Sequence, residues 1–445
     1  MLKSLTLKNF KSYECSKLQV SPLTVLIGAN ASGKSNAIEG MRFLSWMAHG
    51  QKLSSLQYAM RSGEHIVRGH PDSFFYSGAK VFELGCEIDA PEWNQLSVLV
   101  ESREDGLHIE SEKISMPDAT VPLYALTTPS SGVSTDVSVA YNNFARGGHK
   151  PHIICNDQMP IFTQLGSPAV FGDNSRASSV IPLVVTAFEK SLSSILFLDP
   201  VPARMRDYSF LAERELQGDG ANISAVLAHL CGGFLPRRMR EDRQVYEQAR
   251  REILSFIQSL PEQNISDIDF YRERRGGMMV ALVETFGGRK EKYDASLLSD
   301  GTLRVLSIAA AMLSAREGSL VVIEEIDNGV HPSRAKHLLS RIQSVAKRRN
   351  LKVILSTHNP ALLDALPSEA IPDVVFCYRD LKSGSSKLVQ LSEIVDYPEL
   401  LAQGTLGYLS VNGLIDRYVK NPQTDEDKKA RAMAWLERMK KGGEA

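Results

Sequence analysis

The chain has 445 residues, with 51 basic and 52 acidic side chains and a formal net charge of -1. That length holds two or three folding units, and the balanced charge excludes a global pull toward nucleic acid while leaving a local basic face open. Five cysteines, at positions 15, 86, 155, 231 and 377, make neither a close pair nor a metal-ligand spacing. They read as free thiols in a reducing compartment. The stretch Met1–Leu7 is too short and polar for a signal peptide, and no apolar run reaches the length of a membrane span. A cytoplasmic location is expected.

Leu5, Leu7 and Phe10 predict a first strand with one buried face, and Val20–Ile27 a second, after a turn at Ser21-Pro22. The second strand delivers the chain into a glycine-rich loop, and Lys34–Met47 reads as the following helix. Residues 50–79 are mixed. Strands are expected near Val81–Ile88, Leu96–Glu101 and Gly106–Glu112. Residues 115–180 are rich in Ser, Thr, Gly, Asn and Pro and read as a loop-rich insertion, carrying a small basic cluster of Arg146, His149, Lys150 and His152. Residues 181–264 read as a helical subdomain with a charged face that includes Arg204, Arg206, Arg214, Arg237, Arg238, Arg240, Arg243, Arg250 and Arg251. A second strand set starts near Ile265, with Met278–Phe286 its clearest member and Gly287-Gly288 a turn. From Leu297 the pattern alternates: helix to Ser314, strand Leu320–Ile323, helix Pro332–Ala346, strand Lys352–Ser356. This is α/β with a parallel core. The tail, 396–445, is expected to be helical, with Asp427–Lys441 its last helix.

Gly28-Ala29-Asn30-Ala31-Ser32-Gly33-Lys34-Ser35 is a complete phosphate-binding loop in the right context, strand before and helix after. Gly28 and Gly33 allow tight backbone close to a ligand. Backbone N–H groups and the helix N-terminus favour phosphate. Lys34 is placed for the β and γ phosphates, and Ser35 for Mg²⁺. Glu324 and Glu325 end an apolar strand, where open α/β sheets bind ligands. Glu324 is suited to the magnesium shell and Glu325 to polarising the attacking water. His358, at the end of the next strand, is a candidate for contact with the γ phosphate, the alternative being a cap for the turn at Asn359-Pro360. These residues predict an ATP- and Mg²⁺-dependent ATPase whose site is assembled from both ends of the chain.

With these motifs the chain resembles the ABC-type ATPase heads of the RecF, SMC and OLD group, and in pattern the short bacterial ATPases of the AAA15 or AAA21 kind. The resemblance covers 1–48 and 265–380, with further likeness in Leu198-Asp199-Pro200, Met205–Tyr208 and Asn222–Leu227. It implies an ATPase head of mixed and parallel β-sheets plus a helical subdomain. An N-terminal lobe (1–114) and a C-terminal lobe (265–395) would flank the insertion (115–180) and helical subdomain (181–264). Leu5–Tyr13 would be the family's first strand and turn, near the adenine. Leu298–Thr302 resembles the signature motif, so that Ser299, Asp300 and Gly301 would meet the nucleotide held by a second subunit. The usual glutamine after the glycine is missing, and Thr302-Leu303-Arg304 stands there. Asp327-Asn328-Gly329-Val330-His331-Pro332 resembles the D-loop region that crosses the dimer interface. Glu325, His358 and Lys34 would carry catalysis. Gly28, Asn30, Gly33, Lys34, Ser35 and Asn36 would bind nucleotide, and Ser35 and Glu324 the metal. For the Q-loop glutamine, Gln158 and Gln164 are both candidates.

These motifs imply head-to-head dimerisation on ATP. The chain lacks the long coiled coils of SMC proteins, and its tail lacks the acidic set of the TOPRIM nuclease carried by OLD proteins. The function expected from the resemblance is a slow sensor or scaffold ATPase of a bacterial anti-phage defence system. It would act with a separate nuclease or toxin and be triggered by DNA or a phage protein. The alternative is a RecF-like repair or recombination ATPase that binds DNA directly. Transporter and kinase readings have less support.

Overall fold

The β-branched and leucine runs read from the sequence as strands assemble mainly into two large sheets. The computed structural model describes residues 1–63, 65–130, 134–233, 243–258, 264–329, 331–420 and 433. Its strands are β1 (Leu2–Phe10), β2 (Tyr13–Gln19), β3 (Leu23–Ile27), β4 (Val81–Ile88), β5 (Gln95–Arg103), β6 (Gly106–Ser115), β7 (Tyr124–Thr128), β8 (Asp136–Tyr141) and β9 (His152–Asn156). They continue as β10 (Leu196–Leu198), β11 (Ser209–Phe210), β12 (Ile265–Arg272), β13 (Gly277–Phe286), β14 (Arg289–Asp294), β15 (Leu320–Ile323), β16 (Lys352–Ser356), β17 (Val374–Arg379) and β18 (Ser386–Gln390).

The six-stranded sheet runs β10-β15-β16-β3-β17-β18. Five of its strands are parallel, and β18 returns antiparallel to β17. Both faces are buried, which is why these strands are continuous apolar runs rather than alternating ones. Along β15, Leu320 and Val322 face one core and Val321 and Ile323 the other. The first core is shared with the helix Lys34–Ala48 and the eight-stranded antiparallel sheet β2-β1-β4-β5-β6-β7-β8-β9. The second is filled by the helices Ile223–Leu230, Arg243–Ile257, Asp300–Ser314 and Ala335–Arg348. Helix Lys34–Ala48 is apolar nearly all round because it lies between two sheets: Ala37, Ile38, Met41, Phe43, Leu44 and Met47 are buried. The smaller sheet, β11 to β14, packs beside the second core.

Several expectations need correction. The strand expected over Val20–Ile27 is shorter, β3 starting at Leu23, and an unexpected strand β2, hairpinned onto β1, comes before it. The period-2 pattern of Tyr13–Gln19 (buried at 13, 16 and 18) is weak because its outward positions are Glu14, Cys15, Lys17 and Gln19. The segment 115–180 is more ordered than its composition implied, since β7, β8 and β9 extend the eight-stranded sheet. With only two, three and one buried residues respectively, they fall below the length at which periodicity is legible. The segment 181–264 also contains β10, an edge of the parallel sheet, so it is not wholly helical. A helix over Ser175–Ser193 crosses the expected boundary at residue 181 and accommodates Pro182. In the tail, Tyr397–Leu401, Leu406–Val411 and Leu414–Lys420 are helical. Arg237, Arg238, Arg240, Val330 and, apart from Met433, Asp427–Lys441 lie outside the described residues. The cysteines are free, and no helix among the described residues is long and apolar enough to cross a membrane.

Candidate active site

The parallel strand order places the C-terminal ends of β3, β16, β15 and β10 side by side. One strand, β16, separates the phosphate-loop strand β3 from the Glu324-Glu325 strand β15. Ligands bind at such strand ends because helix N-termini and free backbone donors gather there.

The loop itself is held tightly from behind. A Cβ on Gly28 would lie 2.1 Å from the Cys377 carbonyl oxygen, and one on Gly33 would lie 2.5 Å from Ser386 Oγ. Both residues also have positive φ, 138° and 119°, so glycine is required on steric and conformational grounds. Ser386 Oγ donates to Ser32 O at 2.6 Å, Cys377 Sγ to Ser32 O at 3.2 Å, and Tyr13 Oη to Gly33 O at 3.0 Å. Arg379 Nε donates to Ala31 O at 3.3 Å. This brace from β2, β17 and β18 was not read from the sequence. Its members are single polar residues inside strands, 350 or so positions from the loop on the β17–β18 side, and no local pattern marks them.

In front, Lys34 Nζ folds back onto Gly28 O at 2.6 Å and Ala29 O at 3.1 Å. Burial lowers its pKa, with Cys377, Glu325 and Asp327 opposing that shift. The helix it opens has no side-chain cap at Gly33, so its first N–H groups are free for an anion. The donor set, the missing cap and the glycine cradle fit a nucleotide triphosphate. Lys34 would move from loop carbonyls to phosphate, Ser35 begins the helix beneath, and Asn30 is exposed on the loop. Asn36 departs from the expected ligand set, because its side chain donates to Ser12 Oγ at 2.7 Å. It braces the β1–β2 turn, and its contribution to nucleotide would be its backbone N–H.

Glu325 is exposed and has φ of 47°, an uncommon conformation for a non-glycine residue and a frequent mark of functional sites. Its N–H donates to Ser356 Oγ at 2.9 Å, and its carboxylate accepts from Asn328 Nδ2 at 2.5 Å. His358, 56% exposed at its side chain, has Nδ1 3.3 Å from Asp327 Oδ2. Asp327 was expected at the dimer interface, but its side chain is 5% exposed and turned to His358 of its own chain. Its other oxygen, Oδ1, is buried without a partner in the protein, a polar atom still able to accept a bond. Asp327 thereby orients the histidine and adds negative charge near Lys34.

Glu324 differs most from expectation. Its Oε1 accepts from Arg42 Nη2 at 2.7 Å, and both side chains are largely buried. Burial raises its pKa, and Arg42 opposes that. Glu324 fits a magnesium shell chemically, but here it is engaged by a guanidinium. Asp199, at the end of β10, has its pKa raised by burial and opposed first by Arg42. The two Q-loop candidates are elsewhere: Gln158 Nε2 donates to Leu107 O at 3.1 Å, and Gln164 Nε2 to Asn156 O at 2.7 Å. Both serve the eight-stranded sheet, Gln158 at β6 and Gln164 at β9.

The signature segment begins a helix as expected. Ser299 caps Asp300–Ser314, its Oγ accepting from Thr302 N at 3.2 Å. Asp300 pairs with Arg206 at 2.6 Å. A Cβ on Gly301 would lie 2.4 Å from Gly329 O, so the signature rests on the D-loop of its own chain.

The phosphate-loop sequence, the acidic strand end and the histidine-ended strand thus lie at the C-terminal ends of neighbouring parallel strands, β3, β15 and β16. The chain belongs to the AAA_21 family, described as "AAA domain, putative AbiEii toxin, Type IV TA system", whose model matches residues 23–106 and 202–364, more than half of the chain. No curated protein matches it. Among solved structures it is similar to an SMC head bound to the C-winged helix domain of ScpA, at 14% identity and TM-score 0.48, covering 87% of this chain and 96% of that one. It is also similar to the SMC head domain from Thermotoga maritima, at 15% identity and TM-score 0.37, covering 87% and 98%. A third similarity is to the Smc head domain with an extended coiled coil bound to the C-terminal domain of ScpA derived from Pyrococcus furiosus. There identity is 13% and TM-score 0.45, covering 90% and 98%. At these scores the likeness carries no weight beside the strand order itself.

Proposed function

We propose that this chain hydrolyses ATP with Mg²⁺ in a nucleotide-closed homodimer, and serves as the sensor or scaffold of a defence system whose nuclease or toxin is a separate protein. The observation that carries the ATPase reading is the strand order, which sets the Lys34 loop at the end of β3 and Glu325 at the end of β15 with β16 and His358 between them, His358 lying against Asp327. Lys34 and the helix N-terminus would hold the phosphates. Ser35 and Glu324 would hold Mg²⁺, which supplies neutralisation of phosphate charge when bound. Glu325, oriented by Asn328, would accept a proton from water, and His358, oriented by Asp327, would donate toward the γ phosphate.

The dimer reading is supported by the signature. Ser299 is exposed at the start of its helix, and Gly301 rests on Gly329. The Ser299 hydroxyl would face a second copy. The defence role is supported by the family description. ATP would close the dimer and hydrolysis reset it, so a trigger with different affinity for the two states would bias the cycle.

The test is to purify Glu325→Gln (E325Q) with ATP, alone and with the products of neighbouring genes, and to measure the mass of the assembly. A dimer that captures a neighbouring nuclease or toxin is the expected outcome. A strict monomer with ATP would sink the paired-site reading. A dimer without protein partner but with salt-dependent DNA affinity would replace defence by direct DNA repair.

A further inference from the structure

Arg42 lies eight residues beyond Lys34, about 12 Å along the same helix, in a place no nucleotide contact requires. Its Nη1 donates to His65 O at 2.6 Å and its Nη2 to Glu324 Oε1 at 2.7 Å. The guanidinium lies 5.1 Å from the Phe197 ring centroid. Its Nε is buried and finds no acceptor in the protein. The helix that begins at the phosphate loop is thus tied, by one side chain, to the carboxylate at the metal end of the site.

A second carboxylate stands beside the first. Strand β10 pairs in parallel with β15, and Glu324 N donates to Leu198 O at 2.9 Å. Asp199 therefore ends its strand next to Glu324, one strand spacing of about 4.8 Å away. Among the described residues Asp199 makes no ion pair, and Arg42 is the cation that most stabilises its charge. Arg42, Asp199 and Glu324 all line one cavity of about 1090 Å³.

We propose that Arg42 is a positioning residue for the metal end of the site, pairing with Glu324 to hold it from the magnesium shell and passing to Asp199 to release it. This rests on the reading of Glu324 as a metal ligand. The physical basis is direct. A guanidinium within hydrogen-bond distance occupies carboxylate lone pairs that a metal or its water would use, and its positive charge opposes a divalent cation in a half-buried place where screening is weak. Asp199 gives the arginine an alternative partner, so release of Glu324 does not leave a buried guanidinium unpaired, which would be strongly unfavourable.

The experiment measures equilibrium binding of a fluorescent ATP analogue to the full chain, in the non-hydrolysing E325Q background, across free Mg²⁺ concentration. Arg42→Gln (R42Q) is expected to lower the half-saturating Mg²⁺ about tenfold, with affinity in the absence of divalent cation changed by less than about twofold. Asp199→Asn, which removes the alternative acceptor, is expected to raise the Mg²⁺ requirement about threefold or more. The double variant is expected to behave as R42Q, because without the arginine the second acceptor has no role. An unchanged or raised Mg²⁺ requirement in folded R42Q would overturn the proposal. If R42Q does not fold, Arg42→Lys, which keeps charge but loses the fork, should shift the requirement downward by a smaller factor, and no shift would overturn it equally. Lys34→Ala separates the two levels. If it leaves nucleotide affinity intact, the site reading fails. If it abolishes binding while R42Q leaves Mg²⁺ dependence flat, the role of Arg42 alone fails.

Discussion

At the scale of single residues, the site depends on side chains with no freedom to substitute. Gly33→Ala would force a methyl to 2.5 Å from Ser386 Oγ at a φ of 119°. Because Ser386 also holds Ser32, the loop must shift. Nucleotide affinity, measured by calorimetry, should fall at least tenfold, with a smaller loss of thermal stability. Glu325→Gln keeps the shape and the contact to Asn328 but removes the base. Turnover should fall about 10²-fold or more while nucleotide affinity is retained, and a variant that turns over normally would assign proton acceptance elsewhere. The doubled motif Glu324-Glu325 was visible in the chain as a strand end. That one carboxylate is exposed and the other paired with Arg42 was not visible, because the partner is 282 positions away and supplied by a different element.

At the scale of elements, helix ends and buried strand positions set the local energetics. Ser299 caps the signature helix through Thr302 N, so Ser299→Ala should cost about 1 kcal/mol, read as a lowered melting temperature. The same hydroxyl is proposed to meet nucleotide in the partner, and loss of activity beyond that expected from stability would mark the second role. In the outer sheet, Glu112 on β6 is fully buried and accepts from Tyr124 Oη and from the N–H groups of Ile161 and Phe162. Burial pushes its pKa up to about 7 from an ordinary 4.5, with those three donors opposing. A raised folded-state pKa means that the folded protein binds the extra proton. The stabilising contribution is complete below 4.5 and is lost as pH rises through about 7. The melting temperature should therefore decline across that window, and Glu112→Gln should flatten the decline. A decline of unchanged slope in the variant would place the titration in another group.

At the scale of the whole molecule, the phosphate loop and signature are separated in one chain and would be joined in two. An equal mixture of Lys34→Ala and a signature variant such as Ser299→Arg, each inactive alone, should recover up to about one composite site per mixed dimer, detectable as partial ATPase activity. No recovery, with mixed dimers shown to form, would argue against sites shared in trans. The two cores on opposite faces of the parallel sheet couple these parts mechanically. β15 and β16 carry Glu325 and His358 on strands whose alternate residues enter both cores, so the site's backbone is held from both sides.

The phosphate loop, the acidic strand end and the helix–strand alternation after Leu297 were determined by sequence alone, because each depends on neighbours in the chain: turn chemistry, runs of buried apolar residues and helix starts. The strands of 124–156 and the hairpin β2 were not, since each presents too few inward residues for its period to rise above composition. The partnerships of Arg42 with Glu324, Asp327 with His358, and Ser386 and Tyr13 with the phosphate loop were decided by tertiary structure. Polar pairing across parallel strands and between sheets is selected by burial, which leaves no repeating signal in the chain and becomes defined when the strand order brings distant ends together.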